Sequence, residues 1–259
     1  MHLRSLSFYL LSFVLLAHTH AASGDEPYAA RVFEDAQGKK LPYRIMQPEG
    51  YAANGTTKYP LVLFLHGAGE RGTDNVKQLV HGTGDFAKPE NRKKYPCFLI
   101  APQCPEGKRW VEVEWTLKSH KQLPEDSESA KLTLELISSL EKEFRIDPKR
   151  RYVTGLSMGG FGTWDLITRH PDLWAAAVPI CAGADEATAP KVAKMPIWAF
   201  HGDKDTVVIP ERSRNMIMAI SKAGGKPFYT EYPGVGHNSW AAAYADPQMM
   251  EWLFAQKRD

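Results

Sequence analysis

Three residue types that could pass a proton among themselves stand far apart in the chain. Ser157 lies in Tyr152-Val153-Thr154-Gly155-Leu156-Ser157-Met158-Gly159-Gly160, a Gly-x-Ser-x-Gly stretch between an apolar strand-like run and a helix-like segment. Glycines on either side let the backbone turn sharply and pack closely. The hydroxyl is thereby lifted clear, with the Met158 amide beside it. A serine hydroxyl is a weak nucleophile near neutral pH and needs a base held against it. A histidine is supplied later, at His237 in Pro233-Gly234-Val235-Gly236-His237-Asn238-Ser239-Trp240. Between them, His201-Gly202-Asp203-Lys204-Asp205-Thr206-Val207-Val208 offers two carboxylates, Asp203 and Asp205, either of which could orient the imidazole. Hydroxyl, imidazole and carboxylate in relay perform acyl transfer. A fourth stretch, Leu65-His66-Gly67-Ala68-Gly69-Glu70-Arg71-Gly72, can turn a backbone N–H toward the serine. It lacks the G-x-x-x-x-G-K-[ST] spacing of a phosphate-cradling loop.

The elements that must position these residues alternate along the chain. Arg31 to Glu34 and Leu41 to Met46 flank a turn-like Asp35-Ala36-Gln37-Gly38 and predict an antiparallel pair. Leu61 to Leu65 is continuously apolar, as expected of a parallel strand covered on both faces. Similar runs occur at Cys97–Ala101, Tyr152–Thr154, Ala175–Ile180, Ile197–Phe200 and Pro227–Tyr232. Helical spacing marks Ser129–Phe144, where Leu132, Leu136, Leu140 and Phe144 recur every four residues, and also Phe161–Arg169, Glu211–Lys222 and Asp246–Gln256. This alternation predicts an α/β fold: a mostly parallel sheet with helices on both faces. Each candidate residue then falls at the C-terminal end of a strand, on one rim of the sheet.

Residues 1–23 are of another kind. Arg4, an apolar run from Leu6 to Ala17 and small residues at Ala21, Ala22 and Ser23 predict a secretory leader, cleaved after Ala21 or Ser23. The run is shorter than the roughly 20 apolar residues a membrane span needs. Residues 24–259 are expected to form a single domain, secreted or periplasmic after cleavage. A net charge of +2 and scattered basic residues argue against nucleic acid as a partner, and Lys149-Arg150-Arg151 reads as a solvated turn. Three cysteines, Cys97, Cys104 and Cys181, leave at least one unpaired. A strand between Cys97 and Cys104 would hold them roughly 23 Å apart, beyond the ~7 Å limit for a bridge. No H-E-x-x-H or paired C-x-x-C suggests a metal, and the relay chemistry requires no cofactor.

Four stretches together, Leu-His-Gly-Ala-Gly-Glu-Arg-Gly at 65–72, Ile-Ala-Pro-Gln-Cys-Pro at 100–105, Gly-Leu-Ser-Met-Gly-Gly at 155–160 and Gly-His-Asn-Ser-Trp at 236–240, resemble secreted bacterial α/β-hydrolase esterases. The nearest branch is that of polyhydroxybutyrate-depolymerase-like and feruloyl-esterase-like enzymes, with dienelactone-hydrolase-like carboxylesterases close by. The resemblance implies the α/β-hydrolase fold, with Ser157 as nucleophile, His237 as base and Asp205 as orienting acid, since Asp205 matches the second acidic position of H-G-x-x-D. Asp203 is left to hydrogen-bond loop amides. It also implies an oxyanion hole from the amides of Ala68 and Met158, with Gly67 as an alternative donor. Extracellular depolymerases of this branch often carry a linker and a substrate-binding domain, which this sequence lacks, and that argues against a polymer substrate.

Only Cys181 to Met195 separates two strands at the point where related folds insert a cap, so an open site without a cap domain is expected. Its walls would come from Gly67, from the loop Pro105–Ser127 with Trp110 and Trp115, and from Trp240. Aromatic walls suit sugar rings or aromatic acyl groups, hence a small-molecule or polysaccharide-linked ester. Two rival readings keep the same residue order: a serine peptidase resembling the prolyl-oligopeptidase catalytic domain, and a secreted binding protein without catalysis.

Overall fold

The computed structural model describes residues 27–259; the leader expected at residues 1–23 lies outside them. Eight strands join one sheet: β1 (Ala29–Glu34), β2 (Lys40–Met46), β3 (Tyr59–Leu65), β4 (Phe98–Pro102), β5 (Ile146–Leu156), β6 (Ala176–Ile180), β7 (Trp198–Gly202) and β8 (Phe228–Tyr232). Their order is β1-β2-β4-β3-β5-β6-β7-β8. The β1–β2 and β2–β4 pairs are antiparallel and every other pair is parallel. Helices α1 (Thr83–Ala87), α2 (Pro89–Lys94), α3 (Glu128–Glu143), α4 (Met158–Arg169), α5 (Glu211–Lys222), α6 (Trp240–Ala245) and α7 (Pro247–Ala255) surround it.

Strand residues point alternately to the two faces, and a sheet covered on both sides needs apolar residues at every position. On β3, Leu61, Leu63 and Leu65 enter one core with Leu132, Leu136 and Leu140 of α3 and Phe161, Trp164 and Ile167 of α4. Val62 and Phe64 enter the opposite core with Phe86, Tyr244, Met249, Met250 and Leu253. The continuous apolar run is thus two period-2 patterns interleaved. The long helix α3 starts where Ser127 Oγ accepts from the Ala130 amide, a side-chain cap.

One expectation needs correction. Lys149-Arg150-Arg151 belongs to β5 rather than to a turn before it. The register with β3 slips between Tyr59↔Ile146 and Leu61↔Arg151, and Asp147 accepts from the Lys149 amide, so this part of the strand bulges, with Lys149 exposed and Arg150 and Arg151 half-buried beside Asp147 and Glu141. The segment between β3 and β4 holds the 3-10 turns Ala68–Glu70 and Lys77–Leu79 and the short helices α1 and α2, all too brief to show a helical period in sequence. All three cysteines are free and buried, and β4 separates Cys97 from Cys104 as expected.

Candidate active site

The turn from β5 into α4 is built by close backbone contacts. A Cβ on Gly159 would lie 1.9 Å from Leu65 O, and one on Gly155 would lie 2.4 Å from Gly159 O. Only glycine permits this approach of α4 to β3 and β5. The turn leaves Ser157 at φ 52° and ψ −118°, a left-handed conformation that costs a side-chain-bearing residue about 1–3 kcal/mol. Its amide is pinned by donation to Ile180 O at 3.0 Å and lies 3.3 Å from Cys181 Sγ.

Ser157, Asp205 and His237 meet at the rim. Asp205 Oδ2 accepts from His237 Nδ1 at 2.7 Å, and His237 Nε2 lies 2.9 Å from Ser157 Oγ. Because the carboxylate only accepts, Nδ1 carries the ring proton and Nε2 presents its lone pair to the serine hydroxyl. The Asp205 side chain is fully buried. Burial by itself raises its pKa, but hydrogen bonds from His201, His237 and the Val208 amide outweigh that and hold the carboxyl well below its ordinary range. Asp203 does something else: its Oδ1 accepts from Gly234 N at 2.6 Å and ties down the start of the His237 loop.

Ala68 opens the 3-10 turn Ala68–Glu70, and Met158 opens α4. The first amides of a helical segment have no acceptor within it, so both N–H groups are available to an anionic oxygen. Gly67 precedes the turn, where a Cβ would come within 2.8 Å of Leu156 Cδ1. The loop is held by a buried residue that the sequence did not single out. His66 Nε2 accepts from the Cys104 amide at 2.9 Å, which places its proton on Nδ1, 2.6 Å from Gly67 O. Burial lowers the His66 pKa to about 4, keeping the ring neutral and able to bridge the two loops.

Trp110 is a correction. It is 1% exposed, part of the core, and its Nε1 donates to His66 O at 3.0 Å. A large ring whose one polar atom finds a backbone acceptor is better buried than left on a rim, so Trp110 supports the loop from beneath instead of lining an open wall. Trp115 is partly buried under the Arg109 guanidinium. Trp240 stays beside the site, edge-on to His237 with ring centroids 5.3 Å apart. The stretch from Gln103 to Ser127 contains no helix or strand. Beyond Val113 it is secured largely by polar ties. Buried Arg212 donates to Leu117 O and contacts His120, Gln122 bonds Asp165, Thr168 and Asp185, and Arg169 donates to Leu123 O and Pro124 O.

Among the described residues, one group of side chains could hold a metal ion: Cys181, Asp205 and His237, with donor atoms within 4.8 Å of one another. Burial pushes the Cys181 thiol well above its ordinary pKa, and the Asp205 carboxylate is already engaged by the His237 Nδ1 proton.

A mostly parallel sheet flanked by helices, with serine, acid and histidine following β5, β7 and β8 in that order, defines the α/β-hydrolase class of serine hydrolases. The Esterase family model, described as "Putative esterase", matches residues 35–216, and the chain belongs to that family. By family it is an enzyme, a serine hydrolase of carboxylic esters. It is 26% identical to a rice (Oryza sativa subsp. japonica) protein named as a probable carboxylesterase, over 74% of this chain and 76% of that protein. It is 36% identical to a bifunctional acetylxylan esterase/xylanase of Neocallimastix patriciarum, over 29% of this chain and 11% of that protein. Among solved structures, a thermostable esterase aligns with TM-score 0.82 and 40% identity over 90% of this chain. The chain spans 64% of the length of that esterase.

Proposed function

We propose that the chain hydrolyses carboxylic esters through an acyl-enzyme on Ser157. His237 Nε2 takes the hydroxyl proton as Ser157 Oγ attacks the ester carbonyl. The amides of Ala68 and Met158 hold the resulting oxyanion, each contributing about 3–4 kcal/mol in the transition state. Asp205 keeps His237 in the tautomer that accepts at Nε2 and stabilises the imidazolium once formed. His237 then protonates the departing alcohol, water enters, and the same steps in reverse release the acid. The relay of 2.7 Å and 2.9 Å from Asp205 through His237 to Ser157 carries this reading.

For the substrate, the proposal is a small-molecule or polysaccharide-linked ester, handled as in the polyhydroxybutyrate-depolymerase-like and feruloyl-esterase-like branch. The acetylxylan esterase relative and the placement of Trp240 beside His237 support it. Residues 1–23 are proposed to direct a single catalytic domain, 24–259, out of the cytoplasm. N-terminal sequencing of the exported protein should find it starting after Ala21 or Ser23; a retained Met1 would overturn the export reading.

The deciding experiment uses a fluorophosphonate probe and p-nitrophenyl acetate. Labelling should map to Ser157 and vanish in Ser157→Ala, with hydrolysis falling roughly 10⁴–10⁶-fold. Unlabelled wild-type protein would sink the assignment. A panel of acetyl, butyryl, feruloyl, glycerol and polyester substrates then identifies the acyl and alcohol classes.

A further inference from the structure

A second imidazole lies beneath the triad. His201 on β7 is fully buried, one strand residue before the loop that carries Asp205. Its Nε2 is 2.9 Å from Val208 O and 3.2 Å from Asp205 Oδ2. A carbonyl and an ionised carboxylate can only accept, so Nε2 carries a proton. On the other side of the ring, Nδ1 is 2.7 Å from Ser213 Oγ, and that oxygen is 2.7 Å from Ala182 O. The serine has one proton for two short contacts. If Nδ1 were an unprotonated acceptor, the hydroxyl could satisfy either the ring or Ala182 O, leaving two acceptors pressed together without a proton between them. A ring protonated at both nitrogens removes the conflict: Nδ1–H donates to Ser213 Oγ, and Ser213 O–H donates to Ala182 O.

From this we infer that His201 is an imidazolium, a fixed counter-charge to Asp205 that limits how tightly His237 holds the proton it takes from Ser157. The second part rests on the triad reading; the first does not. Asp205 Oδ2 is shared by the two rings, while its Oδ1 is filled by the Val207 and Val208 amides. Every acceptor site on the carboxylate that faces the protein is therefore occupied. The other ionisable groups packed around His201 leave the cation in place. Glu231 sits opposite it on β8, but its carboxylate is engaged by Arg214 and Tyr229. Cys181, on the loop after β6, is a neutral buried thiol. A positive charge on the far side of Asp205 weakens the hold of that carboxylate on a protonated His237, by like-charge repulsion and by sharing its oxygen. His201 is thus a positioning residue whose effect is electrostatic as well as geometric.

Two measurements test the parts separately. Neutron diffraction from the wild-type protein near neutral pD should show deuterium on both Nδ1 and Nε2 of His201; deuterium on one nitrogen alone overturns the inference, whatever the enzyme's activity. The second is the pH profile of kcat/KM for wild type, His201→Gln and Ser213→Ala. Removing the cation lets His237 keep its proton to higher pH, so the acidic limb should move upward by about one pH unit in His201→Gln and in the same direction in Ser213→Ala. A lower rate with an unmoved acidic limb in folded variants would reduce His201 to a structural part and refute the electrostatic role. Failure of the triad reading itself would show differently, as loss of fluorophosphonate labelling at Ser157 in the wild type.

Discussion

The two carboxylates of the Asp203–Asp205 loop have separate partners, and their substitutions should separate as well. Asp205→Asn leaves an amide facing His237 Nδ1 and favours the wrong tautomer, so kcat should fall ~10⁴-fold. Asp203→Asn keeps an oxygen for the Gly234 amide and should stay within about tenfold of wild type, about one hydrogen bond's worth; steady-state hydrolysis of p-nitrophenyl acetate reads both, and the opposite ranking would exchange their roles. At this scale the sequence was informative where residue type and chain position both pointed to chemistry, as at Ser157, Asp205 and His237, which the structure brings into contact. It was silent on His66 and His201. Both precede a glycine at a strand end and resemble ordinary loop histidines, because what distinguishes them is the acceptors and amides that distant segments bring to their rings. Trp110 was misplaced for a related reason: an aromatic residue in a long irregular stretch looks like a rim, and its burial depends on a carbonyl 44 residues away in the chain.

Between elements, the site depends on how closely backbones approach. Gly159→Ala puts a methyl group 1.9 Å from Leu65 O, which no rotamer can relieve because both partners are backbone. The variant should fail to fold, seen as lost cooperative unfolding by circular dichroism. The amide of Ala68 can be removed more gently. Gly67 already has the extended backbone that a residue before proline requires, at φ −77° and ψ −179°, and the first position of a helical turn accepts proline. Ala68→Pro should therefore fold and lose about 10²–10³ in kcat with little change in KM, as expected when one oxyanion donor disappears. An unchanged kcat would exclude Ala68. Strands and long helices were readable from sequence because burial on two faces writes apolar runs and four-residue spacing into it. The slip in β5 was not, since a bulge is decided by pairing with β3 and leaves no local pattern.

For the whole molecule, the buried neutral histidine gives a pH dependence of defined sign. His66 has a folded pKa of about 4 and an ordinary value of 6.5 when unfolded, so between these the unfolded chain binds the extra proton. Stability from this group is complete above pH 6.5 and erodes as pH falls toward 4, by about 3 kcal/mol in all. Urea midpoints measured across that window should drop, and drop less in His66→Gln. The thiols make a second prediction. Cys97 and Cys104 are buried, with burial pushing their pKa values up to about 12 and about 11, and Cys181 is buried as well. A disulfide-exchange reagent should find no rapid thiol in the native protein and three after denaturation, and a reductant should leave the melting temperature unchanged.

The irregular stretch after Val113 touches its scaffold chiefly through side chains that the scaffold itself provides: Arg212, Asp165, Arg169 and Asp185 reach out to its main chain and to a few polar groups. The sockets at Leu117, Leu123 and Pro124 recognise a path of backbone, whereas His120, Gln122 and Asp126 are held by their side chains. The other positions of 114–126 can then be rewritten while the sheet and the proton relay stay intact. Such a rewriting leaves the machinery that cleaves esters as it is.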